Sequence, residues 1–237
     1  MRVAALNDVH GNIAALEAVL ADPALASAEA IVLGGDVAAG GFPSETLERL
    51  RGLGDRVHWV RGNADRELTE PEGGLAAAAM LDWVRGRLTE EQLAYLHGRP
   101  TKAELDVDGI GRTLFCHATP RNDIEIFTAV TPAERLHDVF AGVDANLVVC
   151  GHTHMQFDRM LDGVRVVNAG SVGMPYEDEP GAYWALLGPD VDLRRTEYDV
   201  EAAIQAIEQA GWPGEWPRGG REETTAHFET LAIGSDP

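Results

Sequence analysis

Seven side chains that are able to bind a metal ion stand at or just after the ends of short apolar runs. They are Asp8, His10, Asp36, Asn63, His117, His152 and His154. Carboxylates that lie close together repel each other unless a cation neutralises them, and neutral imidazoles bind the same cations. Seven oxygen and nitrogen ligands suit two cations that share one carboxylate and leave positions open for water and substrate. The set therefore predicts a two-metal hydrolase.

Each of these motifs has a simpler explanation when it is taken alone. Gly34-Gly35-Asp36 is by itself most often a turn, and the two histidines of His152-Thr153-His154 could as easily cap a turn or face solvent. A shared site is favoured because such groups recur at the ends of five predicted strands. Strand ends of an open α/β sheet meet at one edge, where ligands bind. We therefore expect these side chains to line one cleft.

Alternating strand and helix patterns in the first 60 residues would build that edge. Buried strands are predicted at 2–6, 30–33 and 57–60, with an amphipathic helix from Ile13 and another over 44–53. This βαβαβ order is typical of a largely parallel sheet with helices packed on it.

The remainder of the chain continues the α/β pattern. Residues 67–100 are predicted to be helical, and a capping box at Thr89–Gln92 supports one helix start there. Thr131 is predicted to cap a helix with Pro132 at its first position, and Asp199 to cap a last helix that ends near Gly211. The further predicted strands are 103–107, 113–116, 146–150, 164–167, 183–187 and 193–198.

Five motifs in a fixed order resemble one family. They are D-x-H-G-N at 8–12, G-G-D at 34–36, R-G-N-x-D at 61–65, the strand-end His117 and G-H-T-H at 151–154. Together they are similar to the calcineurin-like metallophosphoesterases, over residues 2–198. The resemblance implies an α/β fold, a four-layer α/β/β/α sandwich with two mixed β-sheets. We expect a metallophosphoesterase domain over 1–211, with 67–100 as a helical cap-like segment. Residues 212–237 are rich in Pro, Gly and charge, which predicts a loosely attached C-terminal tail.

The resemblance also implies a role for each ligand. Asp8, His10 and His154 would hold the first metal, Asp36 would bridge, and Asn63, His117 and His152 would complete the second. A hydroxide between the metals would attack phosphorus, with Asp36, Asn63 and His152 as the catalytic set. We expect two divalent ions, with Mn²⁺ favoured and Fe, Zn, Co or Ni left open.

Two departures from the family pattern bear on the substrate. Many relatives read G-N-H-[DE], but Ala64 stands where that histidine would assist the leaving group. The D-R-G of protein serine/threonine phosphatases is also absent, because Asp36 is followed by Val37. The chain is most similar to the small bacterial and archaeal phosphodiesterase-like members. We expect a phosphodiesterase for small diesters; the alternatives are a phosphomonoesterase of a small metabolite and a non-catalytic metal-binding scaffold.

Three side chains are predicted to contact the substrate phosphate, namely Asn12, Asn63 and Arg121. Asn12 stands at a helix start, where backbone N–H groups favour an anion. Arg121 follows a metal ligand and would bind phosphate oxygens, or would instead pair with Asp123. The 168–171 segment is expected to support the metal edge, and 177–179 to be a solvated acidic turn. Apolar side chains of the 67–100 segment either cover the cleft or belong to the core.

The amino-acid composition limits the classes of binding partner that we expect. The chain of 237 residues has 39 acidic and 19 basic side chains and a formal net charge of −20, which disfavours extended nucleic acid and anionic membranes. A small phosphate ester is the expected substrate, and a homo-oligomer stays open. Cys116 and Cys150 are expected to be free buried thiols, and no signal peptide or membrane-spanning run is found. We therefore expect a soluble, cytoplasmic protein.

Overall fold

The computed structural model describes residues 1–71, 75–218 and 220–234. Parts of the predicted segments 67–100 and 212–237, namely 72–74, 219 and 235–237, lie outside the described residues. The strands are β1 (Val3–Leu6), β2 (Ala30–Leu33), β3 (Val57–Trp59), β4 (Lys102–Val107), β5 (Gly111–Cys116), β6 (Leu147–Cys150), β7 (Phe157–Leu161), β8 (Val164–Asn168), β9 (Ala182–Leu187) and β10 (Val191–Thr196). The helices are α1 (Ile13–Ala21), α2 (Pro43–Arg51), α3 (Asn63–Glu67), α4 (Leu75–Arg85), α5 (Glu90–His97), α6 (Ala133–Phe140), α7 (Val200–Gln209) and α8 (Arg221–Leu231).

The first sheet has the strand order β10-β9-β1-β2-β3. Its strands β1, β2 and β3 are parallel, with Ala4 opposite Ile31 and Val32 opposite His58, and β9 and β10 add an antiparallel pair. All residues of β1 and β2 are buried, as expected for strands covered on both faces. The predicted βαβαβ unit is confirmed, and it brings the carboxyl ends of three strands to one edge.

The second sheet has the order β4-β5-β6-β8-β7. Strands β5, β6 and β8 are parallel, while the β4–β5 and β7–β8 hairpins are antiparallel. Strand β7 was not predicted, because Asp158 and Arg159 interrupt its apolar pattern and only the two end residues are buried. The hairpin with β8 holds it at the edge of the sheet.

Apolar side chains separate the layers. Val3, Ala5 and Val32 of the first sheet pack against Val149 and Val167 of the second. Helices α1 and α2 cover the outer face of the first sheet, and α6 covers the outer face of the second. The expected sandwich with two mixed sheets is confirmed. No helix among the described residues is long and apolar enough to cross a membrane.

The predicted helical segment 67–100 contains the end of α3 and the helices α4 and α5. The capping box is confirmed, since the Thr89 hydroxyl accepts from the Gln92 N–H and the Gln92 side chain accepts from the Thr89 N–H. Leu81 and Val84 are buried in the core cluster of the first sheet. These contacts support the interpretation of this apolar face as core.

The start of α6 differs from the prediction by one residue. Pro132 has an extended backbone and is itself the N-cap, so the helix begins at Ala133 and Thr131 does not cap it. The Thr131 hydroxyl instead accepts a hydrogen bond from the Thr128 N–H and donates to the Glu229 carboxylate. The Thr131 side chain, which was predicted to cap α6, therefore stabilises the local turn and contacts the C-terminal helix.

The C-terminal segment is held against the domain. Asp199 caps α7 as predicted, but α7 ends at Gln209 and is not the last helix, because α8 follows. The Trp216 side chain is buried, and Arg221 binds the Glu177 carboxylate and the Gln156 carbonyl. For its described residues, the interpretation as a loosely attached tail was wrong. Polar contacts, which composition does not reveal, hold this segment.

Candidate metal centre

Five loop segments bring all seven predicted ligands to one edge between the sheets. In the first sheet, Asp8 and His10 follow β1, Asp36 follows β2 and Asn63 follows β3. In the second sheet, His117 directly follows β5, and the two remaining histidines follow β6. The described residues contain two groups whose ligand atoms lie within 4.8 Å of one another, namely Asp8, His10 and His154, and Asp36, His117 and His152.

The backbone at these ligands is unusual. Among the described non-glycine residues six have a positive φ, and five of the six are predicted ligands. Such conformations cost about 1–3 kcal/mol each and concentrate at functional sites. Asp and His tolerate the left-handed region better than most residues. The five are Asp8 (52°), His10 (46°), Asp36 (52°), His152 (66°) and His154 (58°).

The first group is compact and buried. Asp8 Oδ1 lies 3.4 Å from His154 Nε2, and His10 Nε2 lies 3.3 Å from His154 Nε2. Asp8 is fully buried, and its Oδ1 has no hydrogen-bond partner among the described residues, while its Oδ2 accepts from the His152 N–H at 2.9 Å. A buried carboxylate oxygen without a partner is costly, and a cation would relieve it. The group therefore fits a metal ion.

The second group surrounds a different point of the same cleft. Asp36 Oδ2 lies 3.4 Å from His117 Nε2, and Asn63 Oδ1 lies 3.0 Å from the same nitrogen. The His117 and His152 rings are in contact, with centroids 5.0 Å apart. Two imidazoles, a carboxylate and an amide oxygen form a donor set that suits a divalent cation.

Asp36 connects the two groups. Its Oδ2 lies 3.8 Å from His10 Nε2 and 3.4 Å from His117 Nε2, so one oxygen faces both groups. Its Oδ1 accepts a hydrogen bond of 2.8 Å from the Ala64 N–H. This contact fixes the carboxylate in the position where it can serve both groups.

Backbone carbonyls orient three of the imidazoles. His10 Nδ1 lies 2.8 Å from the Ala39 oxygen, His117 Nδ1 2.9 Å from the Gly34 oxygen, and His154 Nδ1 2.7 Å from the Met174 oxygen. Because a carbonyl only accepts, each Nδ1 carries the proton and directs Nε2 into the cleft. This arrangement is common for histidines that bind metal.

Comparison with known proteins agrees with this geometry. The model of the calcineurin-like phosphoesterase superfamily domain matches residues 1–188, most of the chain. The chain belongs to this superfamily. The resemblance that its motifs predicted is confirmed.

Relatives of this calcineurin-like domain span most of its length. Phosphodiesterase YfcE of Escherichia coli is 27% identical over 195 residues, across 78% of this chain and 87% of that protein. An uncharacterized protein of Methanocaldococcus jannaschii is 27% identical over 239 residues, across 90% and 94%. The crystal structure of a metallophosphoesterase from Sphaerobacter thermophilus superposes with a TM-score of 0.75 at 27% identity, covering 96% of this chain and 98% of that one.

Burial and neighbouring charges set the protonation of the phosphoesterase site. Burial lowers the pKa of His152 to about 4 and also lowers the pKa of His10. Burial opposes charge on His117 too, but the Asp36 carboxylate outweighs it and raises the pKa of His117 to about 10. Burial opposes ionisation of Asp36 as well, yet the facing histidines lower its pKa. His10 and His152 are therefore neutral and ready to bind metal, whereas His117 must first lose a proton.

Asp65 supports the site and was not predicted to be part of it. Its buried carboxylate accepts from the Val37 N–H at 3.0 Å and from the Gly62 N–H at 3.2 Å, which joins the loops after β2 and β3. Burial and the nearby Asp36 charge raise the pKa of Asp65 to about 7. The position of Asp65 in the R-G-N-x-D motif could have indicated a role at the site. Its hydrogen bonds with the backbone of two loops, however, are visible only in the folded structure.

The 168–171 segment supports the metal edge as expected. The Asn168 amide donates to the Gly151 carbonyl at 2.6 Å and to the Thr153 hydroxyl at 3.0 Å. The Ser171 hydroxyl donates to the Asp8 carbonyl at 2.7 Å. Tyr176, which sequence reasoning missed, stacks on His154 with ring centroids 5.0 Å apart. These contacts hold the loops after β1 and β6.

The structure assigns other contacts to two predicted substrate-binding residues. Both amide hydrogens of Asn12 are used, since Nδ2 donates to the Gly173 carbonyl and the Tyr198 hydroxyl, while Oδ1 caps α1. Asn12 therefore has no donor left for a phosphate. Arg121 binds Glu125, and the suggested pairing with Asp123 was wrong, because Arg66 binds Asp123.

The predicted acidic turn at 177–179 was wrong at its first residue. The Glu177 side chain is only 8% exposed and binds Arg221 of α8. Its carboxylate also accepts from the Gln156 N–H at 2.6 Å. A partly buried ion pair with a distant helix is not visible in the local sequence, which shows only a run of three acidic residues.

A Gly35→Ala substitution is expected to weaken metal binding by at least about tenfold. Gly35 has φ +98°, and an added Cβ would lie 2.6 Å from His117 Nδ1 and 2.7 Å from the Gly62 backbone. Gly163→Ala is the matched control, because Gly163 has φ +85° with no atom within 4 Å of an added Cβ. Metal content and unfolding temperature should fall much further in Gly35→Ala; equal losses in the two variants would contradict the steric explanation.

Proposed function

We propose that the chain is a dinuclear metal-dependent phosphodiesterase for small diesters. The observation that carries the proposal is the position of Asp36, whose Oδ2 faces His10 of one ligand group and His117 of the other. In such a pair a shared carboxylate sets the spacing of the ions. The unpartnered Asp8 Oδ1 supports a cation in the first group.

The residues that would hold the ions are those predicted from the sequence. Asp8, His10, Asp36 and His154 would hold the first, and Asp36, Asn63, His117 and His152 the second. Two bound divalent ions supply Lewis acidity, which neutralises phosphate charge and lowers the pKa of water. The protein's contribution is orientation: three carbonyls direct the imidazoles, and the Ala64 N–H holds Asp36.

The alanine at position 64 favours substrates whose leaving group departs without protonation by a general acid. The alanine places a methyl group beside Asn63, and its only polar contribution to the site is the backbone N–H bound to Asp36. A side chain that donates a proton is thus absent at this position. The similarity to the relative named phosphodiesterase YfcE supports a diester, and not a monoester, as the substrate.

An Ala64→His variant is expected to gain activity on esters with poor leaving groups by about a hundredfold, because an imidazole there could protonate the departing oxygen. Activated nitrophenyl esters should change little. The control is Ala64→Gln, which adds a side chain without a general acid. The measurement is kcat on phenyl and nitrophenyl esters; an equal gain in both variants would contradict the role of the missing acid.

Metal-stripped protein reloaded with Mn²⁺ tests the proposed function. We expect turnover of bis(p-nitrophenyl) phosphate that depends on metal and exceeds turnover of p-nitrophenyl phosphate. A preference for the monoester would favour a phosphatase of a small metabolite. Absence of turnover with metals bound would contradict both, and would favour the scaffold.

Manganese and a cytoplasmic location are part of the same proposal. Oxygen and nitrogen ligands accept Mn²⁺, and Fe, Zn, Co or Ni bind similar sets. Cys116 and Cys150 are buried free thiols, and burial raises the pKa of Cys116 to about 12. Unpaired cysteines support a reducing compartment. Metal analysis of the protein purified without added metal tests the first point.

A further inference from the structure

A cavity opens beside the metal centre. It has a volume of about 160 Å³, and His117, a ligand of the second group, forms part of its wall. The charged residues that line it are Arg61, Arg66, Lys102, Arg121 and Asp123. Four of these side chains are basic and one is acidic, in a chain whose formal net charge is −20. The cavity is therefore a local exception to the charge of the molecule.

Two of the four basic side chains have no carboxylate partner in the part of the chain that the structure describes. Arg66 binds Asp123 at 2.8 Å, and Arg121 binds Glu125, so these charges are balanced. Within residues 1–71, 75–218 and 220–234, neither Arg61 nor Lys102 forms an ion pair. Arg61 donates through one nitrogen to the His97 carbonyl at 2.8 Å, but its buried Nε has no hydrogen-bond partner among the described residues. Two basic side chains without an ion-pair partner among the described residues thus line one cavity.

The fold fixes both of these side chains next to the metal centre. Lys102, the only lysine of the chain, pairs with Cys116 across β4 and β5, and Cys116 directly precedes His117. Arg61 lies between β3 and Asn63, and its N–H donates to the Pro100 carbonyl at 2.7 Å. The Arg61–Pro100 hydrogen bond joins the segment that leads to Asn63 with the segment that leads to Lys102.

We propose that this basic cavity binds a second anionic group of the substrate, a phosphate that is separate from the one being hydrolysed. The inference rests on the proposed function and narrows it to small phosphodiesters that carry an additional phosphate. Lys102 and Arg61 would bind that phosphate through charge-assisted hydrogen bonds. The phosphate that reacts would lie at the metal centre, to which His117 also belongs.

Chemical labelling tests the cavity without any catalysis. In metal-free protein, an acetylating reagent modifies Lys102 and the Met1 amino group, which pairs with Asp108 away from the cavity. We expect pyrophosphate to slow acetylation of Lys102 by about tenfold and to leave Met1 unchanged, relative to sodium chloride of equal ionic strength. Peptide mass spectrometry separates the two amines. Equal rates at Lys102 with and without pyrophosphate, or equal protection of both amines, would overturn the proposal.

Kinetics with two matched substrates test the same cavity in the loaded enzyme. Thymidine 5′-(p-nitrophenyl phosphate) and its 3′-phosphorylated form share the reacting diester and differ by one phosphate. We expect Lys102→Gln to raise KM about tenfold for the phosphorylated substrate only. Arg49→Gln is the control, because it removes one charge from an exposed pair with Glu17.

The outcomes separate the two proposals. If Lys102→Gln changes both substrates equally or neither, while the wild type hydrolyses them, the cavity proposal fails and the phosphodiesterase stands. If the loaded wild type hydrolyses no diester, the proposed function fails, and protection of Lys102 by pyrophosphate still decides whether the cavity binds phosphate.

Discussion

An Asp36→Asn variant is expected to lose more than about a hundredfold of the phosphoesterase activity and part of its bound metal. Asp36 Oδ2 faces His10 and His117, so both ligand groups depend on its charge. An amide carries no charge and has only one oxygen. That oxygen can either accept the hydrogen bond from the Ala64 N–H or face the cleft, but it cannot do both. The measurements are kcat on bis(p-nitrophenyl) phosphate and the metal content per chain.

Asp162→Asn is the matched control for this experiment. Asp162 is the one other described non-glycine residue with a positive φ, at 50°, and its carboxylate pairs with His137 on the surface. The same chemical change in a similar backbone conformation should leave activity and metal content unchanged. Wild-type activity in Asp36→Asn, with an intact circular dichroism spectrum, would contradict the proposed metal centre.

Metal binding to the stripped protein is expected to release a proton. The affinity for the metal is therefore expected to increase by about tenfold per pH unit between pH 6.5 and 8.5. His117 is the cause, because the Asp36 carboxylate outweighs burial and raises its pKa to about 10. Below that pKa the ring is protonated, and it must become neutral before it binds metal. Its neutral fraction therefore rises with pH throughout this range.

His152 provides the internal comparison. Burial lowers its pKa to about 4, so it is already neutral in this range and releases no proton. Titration calorimetry in two buffers of different ionisation enthalpy counts the protons released. An affinity that stays constant with pH, with no proton released, would contradict the assignment of His117 as a ligand.

The arrangement of the candidate site could be predicted largely from the sequence because its ligands follow strands. Val3–Leu6 and Ala30–Leu33 are continuous apolar runs, and such runs are typical of buried parallel strands. Once the strands are parallel, Asp8 and Asp36 must lie at the same edge. This reasoning needs only the order of elements, which local patterns reveal.

Contacts between distant segments could not be predicted in the same way. Strand β7 has charged residues in its interior, and α8 has no buried residue, so neither carries a clear apolar period. The choice of Glu125 over Asp123 as the partner of Arg121 depends on side-chain directions within one loop. Arg66 of α3 binds Asp123 instead. Such pairings are decided by tertiary structure.

The left-handed backbone at five of the ligands has a consequence for protein engineering. These residues direct their side chains into the cleft from loops with left-handed backbone at the ligand positions. A graft of the seven side chains onto the strand ends of another α/β protein would copy the donors without their directions. A transferable unit would have to include the whole loops, among them 7–12, 34–41 and 151–156, together with the carbonyls of Gly34, Ala39 and Met174 that orient the rings.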